Sequence, residues 1–145
     1  METIDKNYGY IEWLSAEEMH EAIVEWMSEL VFVRDEQFFL KELVRSHTLH
    51  DISDTAFKES QGVINALSKT EKELVDLLKR VQSHHNLLEI MVNDIDELRM
   101  ERAYLETHWD LIHEIRNYRA DYRNLKSGLF NTVSNLMKKN NRLLT

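Results

Sequence analysis

The chain has no cysteine, so it holds no disulfide, no thiolate metal site and no cysteine nucleophile, and its candidate chemistry starts from its histidines. His84 and His85 stand side by side in the segment QSHHNLLEI, residues 82–90, inside a stripe that is otherwise apolar at helical spacing. Neutral imidazole binds transition metals and moves protons near neutral pH. A second element of the same chemistry is Glu17-x-x-His20, whose spacing puts a carboxylate and an imidazole on one helix face. In three antiparallel helices with turns near residues 53 and 94, His20 falls level with residues 86–87 and His84 level with residue 104. Glu17, His20, His84, His85, Tyr104 and His108, with Glu101, then share one layer, and facing helices that supply imidazole and carboxylate are how bundle metal sites are built.

Helix geometry narrows that reading. His84 and His85 point about 100° apart and cannot easily hold one ion together. Carboxylate di-iron bundles repeat Glu-x-x-His on two helices, and the further candidate, Asp110-x-x-His113, sits level with residues 75–78, roughly 15 Å along the bundle. The preferred reading is therefore a polar core layer of Glu17, His20, His84, His85, Tyr104 and His108 that sets helix register, as a seam Asn does in a coiled coil. A transition metal held by Glu17, His20, His84 or His85, and His108 is the lesser alternative, and no other cofactor is expected. Gln37 belongs with the register-setters, while His47 and His50 read as dipole partners near a helix C-terminus.

The elements that must position these residues are long helices. With no proline and only three glycines among 145 residues, the chain lacks the turn residues of a many-stranded sheet. Residues 1–13 show no period and read as an irregular arm. Ser15-Ala-Glu-Glu18 matches a capping box, and Met19, Ile23, Trp26, Leu30, Val33, Gln37, Leu40, Val44 and His47 follow at alternating four- and three-residue spacing. The cap-type cluster DISDT, 51–55, marks the first turn, and Asn93-Asp94 with Glu97 marks the second. The spacing predicts helices over about 15–51, 55–92 and 94–141, in one all-α domain: an elongated up-down-up antiparallel three-helix bundle with coiled-coil-like heptad seams. Gly62 or Gly128 could break a helix and raise the count to four segments.

Charge excludes some functions and marks one face. The 18 Lys and Arg against 26 Asp and Glu give −8 overall, which disfavours polyanions and anionic membrane surfaces as partners of the whole molecule. Residues 115–145 nevertheless carry seven Lys or Arg against one Asp, leaving −14 on the first 114. Arg116, Arg119, Arg123 and Lys126 form a basic stripe beside Tyr118 and Tyr122. Such a stripe can bind nucleic acid or another anion, but the reading favoured here pairs it with Asp35, Glu36, Glu42, Glu71 or Glu73 across the bundle. No segment approaches 18 consecutive apolar residues and the N-terminus lacks a signal-peptide pattern, so the chain is read as cytoplasmic and not membrane-spanning. Ser, His and Asp fall on regular helices, and no glycine-rich loop cradles a phosphate or an oxyanion, so no catalytic residues are assigned.

Residues 30–44, LVFVRDEQFFLKELV, are apolar nearly all round: Phe32, Phe39 and Leu43 fall roughly opposite the seam of Leu30, Val33 and Leu40. That second side needs a cover, either a second subunit or the segment after Gly128 folded back. The expectation is a homodimer through the first helix, in an interaction or scaffold protein that also offers a helical surface to a protein partner. A metal-binding bundle and a binder of anionic partners through the basic stripe are the second and third readings.

Overall fold

A computed structural model describes residues 14–48, 54–93 and 98–144. They form three helices, α1 (Ala16–Thr48), α2 (Asp54–Asn93) and α3 (Leu98–Leu144), and no strand occurs among them. The bundle is all-α and antiparallel up-down-up, with packing between all three helices. The expected arm over 1–13, both inter-helix turns, His50 and the side chains of His47 and Glu101 lie outside the described residues.

The start of α1 follows from local chemistry. The Ser15 amide donates to Glu18 Oε1 at 2.8 Å and the Glu18 amide donates to Ser15 Oγ at 3.0 Å, so two groups that a helix start leaves unpaired satisfy each other. Burial follows the apolar spacing: Met19, Ile23, Trp26, Leu30, Val33, Gln37, Leu40 and Val44 are all buried on one face of α1. Glu17 and Glu18 in its first turn also favour the helix through its dipole.

Contacts gather in two compact units. The first takes α1 up to Leu30, α2 from Asp76 and α3 up to Tyr118. Its core is Ile23, Trp26 and Leu30 from α1, Leu77, Val81 and Leu88 from α2, and Leu105, Leu111 and Ile115 from α3. His84, Tyr104 and His108 are buried among these apolar side chains. The second unit takes α1 from Val31, α2 up to Val75 and α3 from Arg119. It buries Val33, Leu40 and Val44 with Leu67, Leu74, Leu129 and Val133, and is tied at its edges by Lys41 Nζ to Glu71 Oε1 at 2.7 Å.

The four-segment alternative is corrected here: α2 runs unbroken through Gly62 and α3 through Gly128. Each glycine costs about 1 kcal/mol in helix propensity. The buried Ser60, Leu67, Leu129 and Val133 on either side hold the helix through that penalty. A Cβ built at either position meets nothing within 4 Å. Gly62→Ala and Gly128→Ala are therefore each expected to raise stability by roughly 0.5–1 kcal/mol, read from urea denaturation. A loss of stability in either variant would show that the position serves something other than helix continuity.

Candidate functional site

The first unit brings its polar groups together around one pair of histidines. α2 turns His84 inward on the same face as Val81 and Leu88, and α3 turns in Tyr104 and His108, four residues apart. His84 retains 4% of its accessible surface and His108 none. Their rings share a hydrogen bond, His84 Nε2 to His108 Nδ1, at 2.9 Å. The Tyr104 hydroxyl donates to the His84 carbonyl oxygen at 2.8 Å, and its ring stacks on the His84 ring at 4.0 Å and 4°. Trp26, from α1, lies over His108 with centroids 4.7 Å apart.

Protons are constrained in this layer. His108 Nε2 is buried with no hydrogen-bond partner. A bare acceptor is less costly to bury unpaired than an N–H. The favoured tautomer therefore places the proton on His108 Nδ1, donating to His84 Nε2, and leaves His108 Nε2 bare. Burial pushes the His84 imidazole down to about 3, with the neighbouring His108 adding to the effect. Burial alone holds His108 down to about 4. The Tyr104 phenol is pushed well above its ordinary value by the same desolvation. All three side chains are thus neutral at pH 7, a state suited to hydrogen bonding across the helices.

The other members of the expected layer go elsewhere. His85 is half-buried and stands against the exposed His20, ring centroids 5.2 Å apart. Glu17 and His20 line an open groove of about 540 Å³ between α1 and α2, with Ala16, Leu88, Glu89 and Val92. One layer of Glu17, His20, His84, His85, Tyr104 and His108 is therefore not assembled: His84 joins Tyr104 and His108 in the core, and His85 joins His20 at the surface. Among the described residues no three His, Asp or Glu side chains stand where they could share a metal ion. A second cleft of about 320 Å³, between α2 and α3, has His84 and Leu111 in its lining with Arg80, Asp110 and Glu114. Arg80 pairs with Glu114 across it.

Along α3 the basic residues divide. Lys126 Nζ donates to Glu36 Oε1 at 3.0 Å, and the Tyr122 hydroxyl donates to the same oxygen at 2.8 Å, so one carboxylate ties α1 to α3 in the second unit. Arg116, Arg119 and Arg123 are exposed. Of the acidic residues expected opposite the stripe, Glu36 meets it, whereas Glu71 pairs with Lys41, Glu42 with Arg45 and Asp35 with Arg34.

In the second unit α1 also carries three aromatic rings on its outer side: Phe32 is 66% exposed, and Phe38 and Phe39 are each 62% exposed. Leu43 is half-buried rather than fully outward, because it lies closer to the Leu40 and Val44 edge. α3 continues unbroken past Gly128 and leaves these rings uncovered, which corrects the alternative in which that segment folds back over them. Phe38 was absent from the expected face, although its position, about 100° from Phe39 around the helix and off the seam, marks it as outward by the same reasoning. No protein-family model, no curated protein and no solved structure matches this chain.

Proposed function

We propose that the protein is a non-catalytic helical-bundle interaction protein that self-associates through the outer face of α1. The observation that carries this reading is the exposure of Phe32, Phe38 and Phe39 within eight residues of one helix. Single exposed apolar residues are ordinary, but three phenylalanines together leave roughly 400 Å² of aromatic surface in water, as much as the largest patch on a typical monomer. A stable interface takes about 800 Å² from each partner, so the rings would form its centre and neighbouring side chains its rim.

Charge on this face suits a second copy of the chain. Arg34 and Asp35 pair at 3.7 Å, and Arg45 and Glu42 at 3.1 Å, so the face carries no net charge to repel its like. Arg34 lies four residues before Phe38 and Glu42 four residues after it. Two α1 helices crossing antiparallel at Phe38 set Arg34 of one subunit against Glu42 of the partner subunit, twice, which is the self-complementarity of a two-fold interface.

Light scattering over a concentration series tests the reading. The wild-type chain is expected at twice the monomer mass, and Phe38→Glu with Phe39→Glu at monomer mass with undiminished helical circular dichroism. A wild-type chain that stays monomeric at the highest concentration would overturn self-association.

A further inference from the structure

We propose that the His84–His108 pair makes the first unit an acid-sensitive section of the bundle, one in which mild acid favours the opening of α2 from α3 while the second unit is left unaffected. A neutral pair of imidazoles carries two N–H groups, and one of them is used in the shared hydrogen bond at 2.9 Å. A third proton must sit on a ring nitrogen, and the His108 Nε2 lone pair is buried with no partner to accept from it. Protonation there creates an N–H and a positive charge in the same enclosed place, and a buried charge without a partner is strongly disfavoured.

Among the described residues no counter-charge is hydrogen-bonded to the pair. α1 contributes the Trp26 ring, which carries no counter-charge, and His20 is turned towards His85. α2 contributes Arg80, a like charge, on the cleft that His84 also lines. α3 contributes the neutral Tyr104, already donating to the His84 carbonyl, with Asp110 and Glu114 in the cleft lining. Glu114 is committed to Arg80, and no carboxylate hydrogen-bonds either imidazole among the described residues. Separating the helices and letting water reach both rings relieves the charge. The second unit contains no such group among its described buried polar residues, which are Gln37, Ser60 and Thr70.

Hydrogen exchange of the full-length chain, expressed as protection factors so that the intrinsic pH dependence cancels, reads this directly. Between pH 7 and pH 5, amides in 76–92 and 104–118 are expected to lose protection by roughly a hundredfold, while those in 64–74 and 122–133 change little. The double variant His84→Leu/His108→Leu should remove the difference. Should that variant not fold, the wild-type ring resonances decide: both imidazoles are expected to stay neutral in the closed protein well below pH 6. Uniform loss of protection across both units, unchanged protection in the first, or rings that titrate while protection is retained would each overturn the proposal.

Discussion

At pH 5 the protein is expected to be less stable than at pH 7 by about 2–4 kcal/mol, a large share of the 5–15 kcal/mol that holds a typical domain together. His84 and His108 are held down to about 3 and about 4 in the folded chain, against an ordinary 6.5 when unfolded. The unfolded chain therefore binds two more protons across that interval. The stabilisation is complete above pH 6.5, is lost as pH falls below it, and stops changing near pH 3–4, where the folded protein takes up the protons too. Each proton contributes at most about 1.4 kcal/mol per pH unit, so two sustain a slope of up to ~2.7 kcal/mol per unit. Stacking on Tyr104 and Trp26 offers an imidazolium roughly 0.5–2 kcal/mol of cation–π stabilisation, which reduces the loss without cancelling it. The surface ion pairs matter little here, because each pair is worth under about 1 kcal/mol. Urea denaturation at pH 7, 6 and 5 checks the slope. A flat profile would mean that water reaches these rings in the folded protein.

Replacing one histidine of the pair is expected to cost far more than replacing both. His108→Leu removes the partner of His84 Nε2 and strands a buried polar nitrogen, which costs about 1–3 kcal/mol beyond the hydrogen bond itself. His84→Leu should cost at least as much, because it strands the His108 Nδ1–H, a donor, rather than an acceptor. The double variant leaves no polar atom of the pair in the layer and is expected within about 1 kcal/mol of wild type, or above it. The four proteins form a double-mutant cycle, and a coupling of about 2 kcal/mol or more is expected between positions in direct contact. Simple addition of the two single costs would show that the shared hydrogen bond carries no energy. The double variant also tests what the pair is for: if the polar layer fixes helix register, amide resonances of the first unit should broaden or multiply although stability is kept.

The candidate site was only half legible in the sequence. His84 and His85 both border the apolar stripe of α2, and a rotation of a few tens of degrees decides which one enters the core. The choice falls to His84 because α3 presents Tyr104 and His108 to it, supplying a ring to stack on and a nitrogen to bond. Nothing local to QSHHNLLEI contains that information. Glu36 is a similar case: it was one of five acids that could have met the basic stripe, and packing of α1 against α3 selects it by bringing Tyr122 and Lys126 to the same oxygen.

By itself the sequence determined the helices and their inward faces, since apolar spacing at three and four residues and the Ser15 capping box depend only on neighbours along the chain. It also determined that Phe32 and Phe39 point away from the core, because angular position around a helix is set by residue number. Tertiary structure decided the rest: which histidine is buried, which acid meets Lys126 and Tyr122, and that Gly62 and Gly128 leave the helices whole. These outcomes depend on side chains from a different helix, and the energies that select among them, about 1 kcal/mol for a glycine and 1–3 kcal/mol for an unpaired buried nitrogen, exist only once the helices have met.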